Sequence, residues 1–369
     1  MAGLDGLRRT WHELTDGLDV RDAHGAFRRD TIKAYGVLSR DHLDRPEPSG
    51  FAGRWWFRIR VLFLGLSSKL SPPRRLLFVV CVALALYGSI DLPGRGVGPL
   101  AGPMPLVLAV AGLVLLLALE LADRVLVRDE LEVARQLQRE LLPADAPEIE
   151  GYSFAFSYRT ANTIGGDYYA FLPAGDGRLG LIVGDASGHG IAAGLVMAIA
   201  HAALRTAIDL DPSPRAVAEL VNRALYRCGG PRAFMTLFYG LLELESGRLE
   251  YACAGHPYPL LRRANGQVVE LGAGSLPLGL RPEVAPARGS AVFAPGDLLV
   301  LYTDGVPETL DGSGRAYGFD QLGSEVAAGG AASEVHERLT SALERFAGGA
   351  PLVDDRSLVV IARSRGLEG

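Results

Sequence analysis

Apolar residues follow three different patterns along the chain, and each predicts a different kind of structure. Leu76 to Leu92 (LLFVVCVALALYGSIDL) and Met104 to Ala122 are nearly continuous apolar runs, the second without a charge before Glu120. The second run approaches the roughly 20 residues that a bilayer requires of a helix. Pro93-Gly94-Arg95-Gly96-Val97-Gly98-Pro99 between them is a turn too short to be a domain. The two runs therefore predict a hairpin of transmembrane helices. Asp123 to Leu142 changes to a helical period, with Val127, Leu131, Ala134 and Leu141 at heptad-like spacing and Gln138 interrupting them. Continuity with the second span suits a linker that pairs with its copy in a homodimer, and a single helix packed on the next domain fits equally. Pro143 and Pro147 end it.

From Gly151 the pattern becomes short apolar strands separated by turn residues. Strands are predicted at 153–159, 167–172, 179–185, 235–243, 249–253, 260–263, 267–271, 298–303 and 358–363. One pair of helices, 191–208 and 213–228, falls between the third and fourth strands, and a second pair, 319–328 and 333–346, precedes the last. Strands grouped apart from paired helices are not the alternation of a parallel α/β sheet, and two packed antiparallel sheets flanked by helices fit better.

Composition changes this picture in few places. Hydrophobic residues make up 49% and the mean hydropathy is +0.18, an excess concentrated in the two long runs. A net charge of -5, without a long basic run interleaved with aromatics, argues against a nucleic-acid partner. Cys81, Cys228 and Cys253 have no CxxC spacing and read as buried thiols in a reducing compartment. Phe51 to Arg75 carries Arg54, Arg58, Arg60, Lys69, Arg74 and Arg75 with Trp55, Trp56 and Phe57 among them, which suits the cytoplasmic headgroup layer. Basic residues before the first span and after the second (Arg124, Arg128) predict that both termini are cytoplasmic. The expected division is a juxtamembrane region at 1–75, two spans at 76–122, a linker helix at 123–143 and a catalytic domain at 144–369.

Four acids recur at strand ends. Asp167 follows Gly165-Gly166, Asp185 ends Leu181-Ile182-Val183-Gly184 before a glycine-rich corner, Asp304 follows Tyr302-Thr303, and Asp354 precedes the last strand. No His or Cys accompanies them at ligand spacing, so the expected metal is a hard ion held by oxygen, Mg²⁺ or Mn²⁺. Clustered carboxylates without a cation would repel and raise one another's pKa. Two ions would acidify a shared water and stabilise charge on a phosphoryl group.

The order Ile164-Gly165-Gly166-Asp167-Tyr168-Tyr169, Gly184-Asp185-Ala186-Ser187-Gly188-His189-Gly190, Ala254-Gly255-His256-Pro257, Pro295-Gly296-Asp297 with Tyr302-Thr303-Asp304-Gly305, and Asp354-Asp355 resembles the bacterial SpoIIE/RsbU-type branch of PPM serine/threonine protein phosphatases. The stretch Ala134-Arg135-Gln136-Leu137-Gln138 with Leu141-Leu142-Pro143 resembles the regulatory linker that precedes such domains. The resemblance implies an α+β fold, an αββα sandwich, with two Mn²⁺ or Mg²⁺ ions. It also implies dephosphorylation of phosphoserine or phosphothreonine on a protein, typically a STAS-domain anti-sigma-factor antagonist in a partner-switching pathway. With both termini cytoplasmic, the bacterial resemblance makes the inner membrane the expected location. Carried over by position, Asp185 bridges both metals, the Ala186 carbonyl coordinates one, and Asp167, Asp304 and Asp354 supply further ligands, with Asp185 and Asp167 central to catalysis. Arg356 stands where the family has an apolar residue, so Asp354 and Asp355 compete for the last role. His189 and His256 match motif positions without assured chemistry, and Arg159 reads as phosphate-steering or as surface charge.

Two other functions compete with this reading. Gly165-Gly166-Asp167 matches the start of the GGDEF signature of nucleotide cyclases, but Tyr168 and Tyr169 replace the next two residues and the other motifs have no place there. A catalytically inactive phosphatase fold acting as a signalling module is the second, and retention of all the acids argues against it.

Overall fold

A computed structural model describes residues 50–89, 103–228 and 233–365. The chain divides into two compact units, Met1–Leu126 and Val127–Gly369. In the first unit α1 spans Phe51–Lys69 and α2 spans Pro72–Ser89, while α3, Met104–Glu140, begins there and runs on without a break into the second. The predicted turn at 93–99 and the polar segment before residue 50 lie outside the described residues.

Helix α2 begins four residues before the predicted span because Pro72 and Pro73 suit a first turn, where a missing N–H costs nothing. Its contacts with α3 are antiparallel. Near one end Gly88 lies against Leu106, in the middle a Cβ on Gly112 would collide with Cys81 Sγ, and at the other end Arg74 Nη1 reaches Asp123 Oδ2 (2.6 Å) and Glu120 Oε2 (3.4 Å). Small residues at the middle contact let the helices approach closely, as in helix pairs in lipid. Both helices are long and apolar enough to cross a membrane. So, by length and composition alone, is Ile191–Leu210, but eight of its side chains are buried in the second unit.

The second unit contains two five-stranded antiparallel sheets. One has the order β1-β10-β9-β6-β7, with β1 Tyr152–Arg159, β10 Arg356–Arg363, β9 Leu298–Tyr302, β6 Leu260–Arg262 and β7 Val268–Glu270. The other has the order β2-β3-β4-β5-β8, with β2 Asp167–Pro173, β3 Arg178–Ala186, β4 Met235–Glu243, β5 Arg248–Ala254 and β8 Ala287–Val292. Strand alternation builds the layers. Leu299, Leu301, Val359 and Ile361 join the core shared with Leu181, Val183 and Phe238 of the second sheet. Their neighbours Leu298, Val300, Leu358 and Val360 pack on α6 (Phe319–Ala327) and α7 (Ala332–Ala347) through Leu322, Val326, Val335, Leu339 and Leu343. Helices α4 (Ile191–Leu210) and α5 (Pro214–Cys228) cover the second sheet with Met197, Leu204, Val217, Val221 and Leu225. The result is the expected αββα sandwich.

One strand escaped the sequence pattern. In β8 (ARGSAV) exposure alternates, but it is an edge strand carrying Arg288, Gly289 and Ser290, so no apolar alternation marks it.

The end of α3 does not present the predicted seam to solvent. Gln138 is buried, Leu131, Ala134 and Leu141 are half-buried, and Leu142 joins the main core, while Val127, Val133 and Leu137 are exposed. The Gln138 Nε2–H donates to the Gly165 carbonyl (2.5 Å), and the Gly165 N–H donates back to Gln138 Oε1 (3.1 Å). The polar residue that interrupts the heptad spacing therefore grips its own domain, as the packed-helix alternative expects.

Candidate metal centre at one end of the sandwich

Antiparallel pairing brings the first two acids together. Asp167, the first residue of β2, is the cross-strand partner of Asp185 near the end of β3, and Thr236 of β4 flanks Asp185 on the other side. Asp304 lies two residues past β9, and Asp354 two residues before β10.

Three polar bridges tie the two sheets at this end. Thr303 Oγ1–H donates to Asp167 Oδ2 (2.7 Å), and the Ser357 N–H donates to Thr303 Oγ1 (3.0 Å), which commits the hydroxyl proton to the acid. Asp355 is buried, its Oδ1 accepting the Ala161 N–H (2.7 Å) and its Oδ2 the Gly166 N–H (2.6 Å). His256 Nε2 lies 3.0 Å from the Tyr302 carbonyl and Nδ1 lies 2.9 Å from Thr236 Oγ1. A carbonyl can only accept, so Nε2 carries the proton and Nδ1 accepts from the threonine. Burial pushes this histidine down to about 3, which keeps it neutral, and makes it a strut between the sheets.

The sequence-predicted residues thus separate. Asp167, Asp185, Asp304 and Asp354 share one region, whereas both oxygens of Asp355 are engaged by backbone amides. Asp354 is exposed, and its charge acts on both Asp185 and Asp304. Arg356, the residue that made the pair ambiguous, is buried with Nη1 3.5 Å from Thr309 Oγ1. His189 is exposed, and Arg159 pairs with Glu344 (2.7 Å) as ordinary surface charge. Thr303 is not among the residues the sequence marks as functional, and Gln138 is marked only as a break in the heptad and as part of the linker stretch. The only signal for Thr303 was its place beside Asp304, since extended backbone points neighbours in opposite directions.

The carboxylates are strained electrostatically. Burial holds Asp167 well above the ordinary carboxylate range, with the charge of Asp185 adding to it. Burial, and then the charges of Asp304, Asp354 and Asp355, push Asp185 up to about 8. Burial and Asp354 push Asp304 up to about 6. One buried oxygen, Asp304 Oδ1, has no hydrogen-bond partner. A Cβ on Gly166 would sit 2.8 Å from the Ala186 carbonyl oxygen and 3.0 Å from Asp185 Oδ1, so glycine keeps the space beside both oxygens open. An orphaned carboxylate oxygen, a carbonyl with open space beside it and mutually repelling acids fit a hard divalent cation. Among the described residues no three acidic, histidine or cysteine side chains gather closely enough to enclose an ion by themselves, so backbone oxygen and water would complete its shell.

The raised values carry a pH dependence for the protein with divalent ions chelated. Below about pH 4 these acids are protonated in both the folded and the unfolded chain. As pH rises the unfolded chain releases those protons first, so stability present in acid is lost through about 6 for Asp304 and about 8 for Asp185. In a chelator the melting temperature is expected to fall as pH rises across this window, and added Mn²⁺ to restore more of it at the alkaline end. Melting followed by circular dichroism checks this, and a temperature that rises with pH in chelator would contradict it.

Residues 175–364 match the family model described as Stage II sporulation protein E (SpoIIE). Phosphoserine phosphatase RsbP of Bacillus subtilis is 29% identical over 201 residues, 52% of this chain and 48% of the relative. Phosphoserine phosphatase RsbU of the same organism is 27% identical over 183 residues, 49% of this chain and 54% of the relative. The chain spans about half the length of these relatives. Among solved structures, the SiaA-PP2C domain of Pseudomonas aeruginosa superposes with a TM-score of 0.58 at 22% identity, over 65% of this chain and 98% of that one, and shows the shared fold. The RsbU and RsbW domains of Rv1364c from Mycobacterium tuberculosis give a TM-score of 0.51 at 29% identity, over 61% of this chain and 63% of that one. With more than half of its length matched by the family model, and its two-sheet sandwich sharing the fold of a PP2C domain, the chain belongs to the SpoIIE family.

Proposed function

We propose that the chain is a membrane-tethered, metal-dependent phosphatase that hydrolyses phosphoserine or phosphothreonine on a protein. The observation that carries this reading is the orphaned Asp304 Oδ1 in the same region as the Asp167–Asp185 cross-strand pair. In this reading Asp167, Asp185, Asp304 and Asp354, with the Ala186 carbonyl as a backbone ligand, would hold two Mn²⁺ or Mg²⁺ ions. Bound ions supply Lewis acidity, which acidifies water and offsets charge on the phosphoryl group. The chain's own residues supply position. Thr303 fixes one oxygen of Asp167, the Asp355 carboxylate fixes the Gly165–Gly166 turn, and the β2–β3 register holds Asp167 opposite Asp185. Rigid placement of this kind removes reorganisation at the moment of reaction.

The substrate proposed is a STAS-domain anti-sigma-factor antagonist, supported by the similarity to RsbU and RsbP. The membrane reading, an inner-membrane hairpin with the catalytic domain in the cytoplasm, is supported by the apolar lengths and antiparallel contacts of α2 and α3. A homodimer through the linker would use the exposed Val133 and Leu137, while Gln138, on the face of Leu131 and Ala134, carries any movement of the helix to Gly165. The phosphoproteome of cells carrying Asp185→Asn tests the proposal and names the substrate. One serine or threonine phosphosite on a STAS protein should accumulate, and an unchanged phosphoproteome would contradict the activity.

A further inference from the structure

Helix α1 has a composition and a surface that the phosphatase reading does not use. Phe51, Trp55, Ile59, Leu62 and Leu66 recur at helical spacing and share one face. Phe51 is 82% exposed, Trp55 61% and Leu66 43%, and beside the stripe Trp56 is 67% exposed. A soluble domain rarely leaves so contiguous an aromatic surface in water. The charge is one-sided as well. No acidic residue occurs from Phe51 to Arg75, and α1 carries Arg54, Arg58, Arg60 and Lys69.

The helix is held next to the first apolar helix. The Arg75 guanidinium donates to the Ser67 carbonyl (2.8 Å) and the Leu70 carbonyl (3.3 Å), capping α1 where the chain turns into α2. Phe63 stacks on Phe78 across that turn, with ring centroids 5.4 Å apart. At the same end of α2 Arg74 pairs with Asp123 and Glu120.

We infer that α1 is an interfacial helix whose aromatic face enters the headgroup layer and whose arginines select anionic lipid. Aromatic rings with an apolar body and a polar edge settle at that depth, and arginine stems reach along the apolar surface while their heads meet phosphate. The inference rests on α2 and α3 being membrane spans, since only then does the α1–α2 turn stand at a bilayer surface.

The test uses the full-length chain with Trp11→Phe, which leaves Trp55 and Trp56 as its tryptophans, reconstituted into nanodiscs of phosphatidylcholine with phosphatidylglycerol. Either lipid carries brominated chains at equal mole fraction. Brominated phosphatidylglycerol is expected to quench tryptophan about twofold more than brominated phosphatidylcholine at low salt, and high salt or Arg54→Gln with Arg60→Gln to remove the difference. Equal quenching by the two lipids at low salt overturns the selectivity. Quenching by neither, in protein that resists alkaline extraction from membranes, shows the face covered by protein or a second copy and overturns the inference alone. Extraction of the wild-type chain by alkali removes the spans themselves, a failure distinct from that of α1.

Discussion

Asp185→Ala is expected to lower phosphate release from a phosphoserine protein by on the order of a thousandfold or more, because a metal's stabilisation of phosphoryl charge amounts to several kcal/mol. The fold should survive. Asp185 stands at the end of β3, and its strand hydrogen bonds to β2 and β4 come from the backbone. Removing its carboxylate also removes a buried acid that must take up a proton when the chelated chain folds at neutral pH, so the variant treated with chelator should melt no lower than the wild type there. Loss of activity together with unchanged or higher chelated stability separates a functional acid from a structural one. A variant that keeps its rate would remove Asp185 from the centre of the mechanism.

The second large effect distinguishes two adjacent acids. Asp355→Ala should destabilise the domain by about 2–4 kcal/mol, since it strands the Ala161 and Gly166 amides without acceptors in a buried turn. Asp354→Asn should leave the urea midpoint nearly unchanged and weaken Mn²⁺ binding at least about tenfold, in keeping with loss of a ligand rather than a supporting contact. Urea unfolding and calorimetric Mn²⁺ titration of the pair decide it. The reverse pattern, in which Asp354 sets stability and Asp355 sets affinity, would exchange their roles.

Sequence pattern revealed most of the fold because its signals are local. Nine of the ten strands observed in the described residues lie in short apolar stretches bounded by turn residues, and the helices α4 to α7 carry helical spacing. Strand β8 was hidden because an edge strand needs only one apolar face, and its Arg288, Gly289 and Ser290 supply none. The four acids were legible as strand-end residues. Their partners were not, since hydrogen bonds joining Asp355 to Ala161, or Thr303 to Asp167, span more than a hundred residues and depend on how two sheets close.

Gln138 shows the same limit. Heptad spacing identifies a helix face but not what covers it, and here the face meets the chain's own Gly165. Two neighbouring acids before a strand look alike in sequence, yet burial inserts one into a backbone turn and leaves the other exposed beside Asp185 and Asp304.

The most direct measurement is the time course of inorganic phosphate released from a purified phosphoserine STAS protein by the full-length chain in detergent. Release should proceed with Mn²⁺, stop on chelation and resume when the ion is restored. Release that continues in chelator, or none with either Mn²⁺ or Mg²⁺, would contradict a metal-dependent phosphatase.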